Sequence, residues 1–492
     1  MARCERLGCI TMELYRGFDL FRFLRLKTFT SVLCLWVFCC ASPGCGKDKN
    51  GDVDAAVQDA AADGSETDVD AGVSDGGDPG PDGAVAPVVF CPRLSEPTGE
   101  TIHVTPEEAD DLRSIVMNAE PGATIVLDDG YYDMSGGDNS HRLSFYTDGV
   151  TLRSASGEPE NVVLDGNYVT GELLSIAASN ITIAEITLAR AYHHPIHVTG
   201  AADRDTENTW IYRVRILDPG QQAIKINPSS QRKYTDRGRI ECCYMELTDE
   251  GRAEVRDNCY TGGVDAHAAW QWEIRDNTII GFWCESGLSQ HGIHMWRTSR
   301  DTLVERNRII DCARGIGFGL TETYGGTPRS YPDNPYPDLG FLDNIDGIIR
   351  NNFVSAASVA LFNSSAGFDS GISIAQSPGS QVLHNTVVSL QPPFSSIEWR
   401  FSKTNAVILN NLVTHNLMER NNAQATADGN IENAPIDFFV DAESGDLHLD
   451  PDTASTAIDS GVYVAPGLCD EDIDGDPRGE FRDVGADEIP VE

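Results

Sequence analysis

The sequence predicts an all-β solenoid in which short strands of successive repeats stack side by side in parallel. A strand of the form apolar-x-apolar recurs seven times, and an asparagine holds the same place in five successive repeats. The length agrees, because 492 residues with 40% hydrophobic content can bury a large core. One long solenoid accommodates these repeats better than three globular domains do.

The recurring strand places a polar slot between two apolar residues. Its copies read PIHV, AIKI, GVDAH, GIHMW, GIGFG, GISIA and SIEWR, and the slot holds, in order, His197, Lys225, Asp265, His294, Gly317, Ser373 and Glu398. Because side chains alternate faces along a strand, the apolar residues point inward and these seven form an outward ladder with a spacing of roughly 4.8 Å. We name them the polar column. Asn227, His267 and Trp296 lie two positions further along their strands and also face outward, so Trp296 is expected to be exposed beside two histidines.

The repeated asparagines are best interpreted as structural. Asn277, Asn307, Asn352, Asn385 and Asn411 are separated by 30, 45, 33 and 26 residues, within the range of solenoid repeats. Stacked amides of this kind satisfy turn backbone groups that water cannot reach. The long step contains a Pro/Tyr-rich insertion at residues 321–344, whose Tyr324 and Tyr331 are candidate rings for stacking on sugars.

Three short strands per repeat with an asparagine stack resemble the right-handed parallel β-helix of the pectate-lyase type. The resemblance covers roughly residues 121–415 and predicts a β-helix domain at residues 88–440. In such enzymes a sugar polymer lies along the outward strand face. The resemblance therefore implies a polysaccharide partner, with Lys225, Asp265, His267 and His294 as candidate catalytic residues. His197, Asn227, Trp296, Tyr324 and Tyr331 are the candidate substrate-binding residues.

Three chemistries can be weighed against these residues. A uronate lyase needs a cation for the substrate carboxylate, a base and an acid, which Lys225 and the histidines can supply. The segment GVDAH also partly resembles the Asp-Pro-His signature of mannuronan epimerases, with Ala266 in place of the proline. A glycosidase is disfavoured, because Asp265 and Glu398 are four coils apart, on the order of 19 Å, unless a loop acid such as Glu285 takes part.

Metal binding and glycan binding without catalysis are the remaining alternatives. Asp265, His267 and His294 are ligand types that hold divalent metals. Solenoids also offer long, shallow binding faces, so a surface protein that only binds glycan remains open. Calcium is the one cofactor that the acidic residues leave open.

Both ends of the solenoid require closure. Thr105 is expected to cap an amphipathic helix whose apolar residues cover the first coil. Residues 441–492 resemble the C-terminal closing segment of bacterial surface β-helix proteins. There Asp472, Asp474 and Asp476 either hold a cation or belong to a loop that folds over the last coil, and we favour the loop.

The N-terminal residues predict export. Basic residues precede an apolar run that ends in ASPGC, so residues 1–45 are expected to be a signal peptide, with Met12 as an alternative start. The segment resembles a bacterial lipoprotein signal with Cys45 as the lipidated residue, and plain secretion is the alternative. Residues 46–87 hold ten Asp and no aromatic residue, which predicts a disordered tether. We expect an exported protein at the outer membrane or cell surface, or a secreted one, with membrane contact only through the lipid anchor.

Charge and cysteine content limit the partners and the redox setting. The formal net charge is −40, which argues against nucleic acid as a partner. Seven cysteines follow Cys45, so at least one is unpaired if export allows disulfides. The coil spacing suggests Cys243 with Cys259 and Cys284 with Cys312.

Overall fold

Strands of successive coils build three long parallel sheets between Thr101 and Asp428. The computed structural model describes residues 91–256 and 258–490. The predicted signal peptide with Cys45 and the predicted linker at residues 46–87 lie outside the described residues. The predicted fold class, an all-β parallel β-helix, is confirmed by this topology.

Each coil of the described segment contributes one strand to each long sheet, in sequence order. The first sheet comprises Thr101–Val104, Thr124–Leu127, Thr151–Ser154, Thr182–Ala184, Trp210–Tyr212, Arg239–Glu241, Glu273–Arg275, Leu303–Glu305, Ile348–Arg350, Pro378–Leu383, Asn405–Leu409 and Gln424–Asp428. The second comprises Gly130–Asp133, Val162–Asp165, Thr187–Ala189, Arg215–Leu217, Tyr244–Glu246, Thr278–Ile280, Arg308–Ile310, Phe353–Ala356, Thr386–Ser389 and Leu412–Val413. The third comprises Leu143–Phe145, Glu172–Ile176, His194–Thr199, Gln222–Asn227, Gly262–His267, Ile293–Trp296, Arg314–Phe318, Ser370–Ala375, Ser395–Arg400 and Leu417–Arg420.

The remaining elements are short. Two-stranded parallel pairs join Thr206–Glu207 to Thr235–Asp236 and Ser299–Arg300 to Asn344–Ile345, and an antiparallel pair joins Phe439–Asp441 to Asp446–Leu449. The helices are Ala109–Met117, Asp249–Arg252 and Val359–Asn363, with single 3₁₀ turns at Pro106–Glu108, Gly137–Asn139, Pro159–Asn161 and Ile436–Phe438. Among the described residues no helix is both long enough and apolar enough to cross a membrane.

The core lies inside the coils and is built from stacked identical positions. In the third sheet Ile196 pairs with Ile224, Ile224 with Val264 and Val264 with Ile293, and all four are fully buried. The strict alternation of the apolar-x-apolar strand produces this stack, because only every second side chain can point inward.

The asparagine ladder turns the chain from the first sheet to the second. Asn277 donates to the amide oxygen of Asn307 at 2.9 Å, and the same bond joins Asn307 to Asn352. Each amide nitrogen also reaches backbone carbonyls, such as those of Ile274 and Glu305 from Asn307. The predicted structural role is confirmed, and Asn430 extends the ladder by one coil beyond the predicted five.

The N-terminal cap agrees with its prediction. Thr105 and Glu108 form a reciprocal capping box, and the helix Ala109–Met117 buries Leu112 and Val116 over the first coils. The strand Thr101–Val104 precedes this helix and pairs in parallel with Thr124–Leu127, within the predicted β-helix domain.

The predicted disulfide pairs are wrong. Cys91 bonds to Cys242 and Cys259 bonds to Cys284, whereas Cys243, Cys312 and Cys469 are free and buried. Adjacent cysteines on a coil point to opposite sides: Cys243 packs in the hydrophobic core, which leaves Cys242 to meet Cys91. Inward cysteines of this kind act as small apolar residues, and burial raises the pKa of Cys243 to about 12.

Candidate functional site

The polar column lies along the outer face of the third sheet in the register that the sequence predicts. His197 pairs with Lys225, Lys225 with Asp265, and Asp265 with His294. The next three coils continue the column with Gly317, Ser373 and Glu398. Adjacent members come from adjacent strands, so their side chains are close enough to interact.

Loops cover the middle of the column, which is therefore not an open face. His294 is fully buried and only 6% of Trp296 is exposed, so the predicted exposure of Trp296 is wrong. The cause is the insertion, which folds back over this strand. The Gly319 carbonyl lies 3.3 Å from His294 Nε2, and the Arg297 guanidinium contacts the rings of both Trp296 and Tyr324.

Lys225, Asp265, His267 and Tyr260 form one hydrogen-bonded group, which we name the lysine cluster. The Lys225 ammonium donates to the Asp265 carboxylate and, at 3.2 Å, to the Tyr260 oxygen, and it lies 3.1 Å from His267 Nε2. The Tyr260 hydroxyl donates to Asp265 at 3.3 Å, and the Trp296 indole donates to the second carboxylate oxygen at 2.6 Å. The carboxylate thus fixes the ammonium between an imidazole and a phenol.

Burial and the Lys225 charge set the protonation of the lysine cluster. Burial alone would raise the pKa of Asp265, but the Lys225 ammonium beside it holds that pKa well below 3.8. Burial lowers the pKa of His267 from 6.5, against the opposing pull of Asp265. Burial raises the pKa of Tyr260 from 10.0, against the opposing effect of Lys225. Near neutral pH the cluster therefore offers a neutral imidazole that can accept a proton and a phenol that can donate one.

Tyr260 is a residue that sequence reasoning missed. It lies outside the repeating strand, in the loop after the helix Asp249–Arg252, and the Cys259–Cys284 disulfide anchors that loop beside it. The one available signal was its position two residues before the strand Gly262–His267 that carries Asp265. Loop residues have no periodicity, so such a signal carries little weight without coordinates.

His294 stacks on Trp296 and on a second buried histidine rather than joining the lysine cluster. The His294 and Trp296 rings are 4.6 Å apart and nearly parallel, and the His291 ring lies 4.3 Å from that of His294. Burial lowers the pKa of His294 to about 3. Gly317 leaves room for the His291 ring, because a β-carbon there would lie 2.7 Å from it. The column member Gly317 is therefore explained by packing.

His197 is held by neighbours on both sides. Its Nδ1 lies 2.7 Å from a Glu172 carboxylate oxygen, and its Nε2 bonds to the side-chain oxygen of Asn227. Burial would raise the pKa of Glu172, but the hydrogen bond from His197 lowers it. His197 and Glu172 form the wall of the site on the N-terminal side of Lys225.

A cavity of about 280 Å³ opens beside the lysine cluster. Its lining includes the predicted residues Asn227, His267 and Tyr324, and also Arg232, Arg297 and Arg329. Arg329 is paired with Asp236, with both contacts at 2.6 Å. The Arg297 side chain has no hydrogen bond or carboxylate partner among the described residues, and its Nε is buried. Its charge acts on the buried Asp343 carboxylate, whose pKa it helps to lower against the larger effect of burial, but no ion pair holds it. The cavity therefore presents an arginine without a direct anionic contact, which sequence reasoning did not identify.

Tyr331 supports the insertion and does not line this cavity. Its hydroxyl donates to the Thr298 carbonyl at 2.6 Å, and its ring packs against Trp270 and Arg329. Tyr324, by contrast, contacts Arg297 at the cavity wall. Of the two tyrosines proposed for sugar stacking, only Tyr324 is in a position to meet a ligand there.

The geometry argues against the metal alternative in the column. A divalent ion bound by Asp265 and His267 would have to approach the Lys225 ammonium, which already contacts both residues. His294 directs its Nε2 at the Gly319 carbonyl instead. The loop acid Glu285 lies in a separate cavity of about 600 Å³ beside the Cys259–Cys284 disulfide, with Asp249 and Arg252.

The C-terminal acids organise turns and ion pairs. Asp472 accepts hydrogen bonds from the backbone N–H groups of Asp474 and Asp476, at 2.9 and 2.8 Å, as the folded-loop alternative requires. His448, Asp474 and Asp487 have ligand atoms within 4.8 Å of one another. However, His448 bonds to Asp446 through one ring nitrogen and to Asp474, at 2.6 Å, through the other. A protonated His448 therefore donates to both carboxylates, and these hydrogen bonds satisfy the group without a metal ion.

Comparison with known proteins yields structural likenesses and no family. No family model matches the chain, and no curated protein matches it in sequence. An alginate lyase from Paenibacillus sp. FPU-7 aligns with 16% identity and a TM-score of 0.45, over 68% of this chain and 98% of its own. The pectate lyase Pel9A aligns with 12% identity and a TM-score of 0.45, over 80% and 97%, respectively. PfbA, a surface adhesin of Streptococcus pneumoniae, aligns with 11% identity and a TM-score of 0.36, over 66% and 88%. At such identities and scores these likenesses carry no inference about the activity of this chain.

Proposed function

We propose that this protein is an exported, carbohydrate-active enzyme, most simply a lyase that cleaves a uronic-acid polymer by β-elimination. The observation that carries the proposal is the lysine cluster beside a cavity with an unpaired arginine. Elimination needs a cation for the substrate carboxylate, a base for the proton next to it and an acid for the leaving oxygen. We assign these three functions to Arg297 and His267, which line the cavity, and to Tyr260, which the Lys225 ammonium joins to His267.

The proposed reaction begins with carboxylate binding. Arg297 binds the uronate carboxylate. The Lys225 ammonium turns so that it contacts the same group and no longer donates to His267, while it keeps its ion pair with Asp265. The turn frees His267 Nε2, which removes the proton from the carbon that bears the carboxylate. The positive charges of Arg297 and Lys225 stabilise the anion that forms.

The second half of the reaction breaks the glycosidic bond. The electron pair left by the proton forms the new carbon–carbon double bond, and the bond to the leaving oxygen breaks. Tyr260 donates its proton to that oxygen, and the neighbouring Lys225 stabilises the phenolate. Solvent then takes the proton from His267 and returns one to Tyr260, which restores the enzyme.

Absorbance at the unsaturated-uronate band tests this proposal. The purified protein is mixed with a panel of uronic-acid polysaccharides, with and without calcium, and compared with K225A, H267Q and Y260F. We expect a rise in wild type that each variant reduces at least a hundredfold, as is usual for loss of an acid or base. H103Q is the matched control, since His103 is exposed on the strand Thr101–Val104. Full activity of H267Q would contradict the proposed base.

A uronate C5-epimerase is the second candidate, favoured by the placement of His267 and Tyr260 on either side of Lys225. One group would remove the proton and the other would return it from the opposite face. Solvent deuterium would then enter the polymer at that carbon, detected by NMR, with no rise in absorbance. Binding of the same polymers without either change would support a glycan-binding surface protein instead.

Export and tethering complete the proposal. Residues 1–45 act as a signal peptide, and Cys45 carries the lipid that anchors residues 46–87 as a spacer. C45S is expected to move the protein from the membrane fraction to the soluble exported fraction of a bacterial host. Equal fractionation of C45S and wild type would favour plain secretion.

A further inference from the structure

A second cavity lies on the same face of the third sheet, further toward the C-terminal end of the polar column. Its volume is about 230 Å³, and its lining includes the column members Ser373 and Glu398. By strand spacing, these residues lie three and four coils from Asp265, or roughly 14–19 Å. We name it the distal cavity.

Three guanidinium groups and two carboxylates line the distal cavity, which leaves one positive charge in excess. Arg314 pairs with Asp369 at 2.9 Å, and Arg420 pairs with Glu398 at 2.7 Å. Each of these arginines is therefore neutralised by its partner. Arg400 is the third.

Arg400 has no such partner. Its side chain makes no hydrogen bond and no ion pair with any described residue, and its Nε is buried without a partner. Its guanidinium instead packs over the ring of Phe401, with the guanidinium carbon 4.3 Å from the ring centroid. Burial and the like charges of Arg420 and Arg314 lower its pKa, against the opposing effect of the Glu398 and Asp369 carboxylates. Both carboxylates are already paired with Arg420 and Arg314, so the Arg400 guanidinium has no anion of its own.

Neutral polar groups complete the cavity. His291 is 1% exposed, its Nδ1 has no partner among the described residues, and its Nε2 lies 3.0 Å from the Ser373 hydroxyl. Phe394, 48% exposed, lies under Arg420 at the rim. The combination of a planar cation, hydroxyl and imidazole groups and an exposed ring suits an acidic sugar.

We infer that the distal cavity binds a carboxylate of an acidic saccharide through Arg400, at a position several sugar units from the reacting one. The identity of the ligand rests on the proposed function, since it assumes that a uronate polymer lies along the polar column. The site gives the enzyme a preference for long chains, because only a long chain spans from the lysine cluster to Arg400.

Calorimetric titration with uronic-acid oligosaccharides of two lengths tests this inference. All proteins carry Y260F, so that no cleavage disturbs the measurement. R400Q is expected to weaken binding of an octasaccharide about tenfold, the effect of losing one charged hydrogen-bonded contact. A trisaccharide cannot span both sites, so its affinity for the cavity beside the lysine cluster should not change. R239Q is the matched control, because Arg239 lies on the first sheet and belongs to neither cavity.

The outcomes separate this inference from the proposed function. Equal octasaccharide affinity of R400Q and its parent would overturn the distal site even if lyase activity is found. A length-dependent loss in R400Q without any lyase or epimerase activity would support the distal site and reject the enzyme. Equal losses for both lengths would overturn it, because Arg400 would then act on the whole face. Absence of uronide binding to the parent protein would overturn it as well.

Discussion

Asp265 is the residue on which the lysine cluster depends, because its carboxylate receives hydrogen bonds from Lys225, Tyr260 and Trp296. We expect D265N to keep the shape of the side chain but to lose the charge that holds the ammonium. Activity should fall at least a hundredfold, while the melting temperature falls by only a few degrees. Lyase assays and thermal unfolding check the two effects. S175A, a change three coils away on the same sheet, is the control.

Two individual residues, His267 and Tyr260, are expected to set the pH dependence of catalysis. In the proposed mechanism His267 is a neutral base, and burial lowers its pKa from 6.5, so activity should persist as pH falls through 6.5 and decline only at lower pH. Tyr260 is the proposed protonated acid, and burial raises its pKa from 10.0, so activity should decline only above pH 10. A profile of kcat/KM against pH measures both limbs. An acidic limb above pH 6.5 would contradict the role of His267.

At the scale of elements, the asparagine ladder couples each coil to the next. N352A would remove the acceptor for the Asn307 backbone and side-chain N–H groups and leave the Val304 and Arg350 carbonyls without their donor. Buried groups left unsatisfied cost about 1–3 kcal/mol each, so the loss of four partners is expected to lower the free energy of unfolding by at least about 4 kcal/mol. Denaturant unfolding measures it, with N405A on an exposed strand position as the control. Equal stability of the two variants would contradict the structural role.

The C-terminal segment carries a second element-scale prediction, a pH-dependent ion pair. Hydrogen bonds that His448 donates to the Asp474 and Asp446 carboxylates raise the pKa of His448 to about 9. A raised histidine pKa stabilises the fold fully below the unfolded value of 6.5, and this stabilisation disappears as pH rises through 9. Arg308 and Asp487 also face the group. We expect H448Q to lower the melting temperature at pH 6 and to match wild type at pH 10. A difference in melting temperature between H448Q and wild type that does not change with pH would contradict this account.

For the molecule as a whole, the sequence predicts what repeats and leaves open what covers the repeats. Strand alternation and stacking place Lys225 beside Asp265, and the same regularity reveals the asparagine ladder. The covering loops obey no such rule, which is why the roles of Tyr260 and Arg297 and the burial of Trp296 emerge only from the structure. The predicted disulfide pairs are wrong for a related reason, since adjacent cysteines such as Cys242 and Cys243 point to opposite sides of the coil wall.

The overall charge gives the last prediction, which concerns salt. The chain carries a formal net charge of −40, so an anionic polymer is repelled at long range and attracted only at close range by groups such as Arg297 and Arg400. Salt screens the long-range repulsion more than the close-range attraction, because the Debye length falls from about 30 Å at 0.01 M to about 8 Å at 0.15 M. We therefore expect kcat/KM on a uronate polymer to rise severalfold over this range of sodium chloride. A monotonic fall would mean that the arginines of the two cavities, rather than the net charge, govern the encounter with substrate.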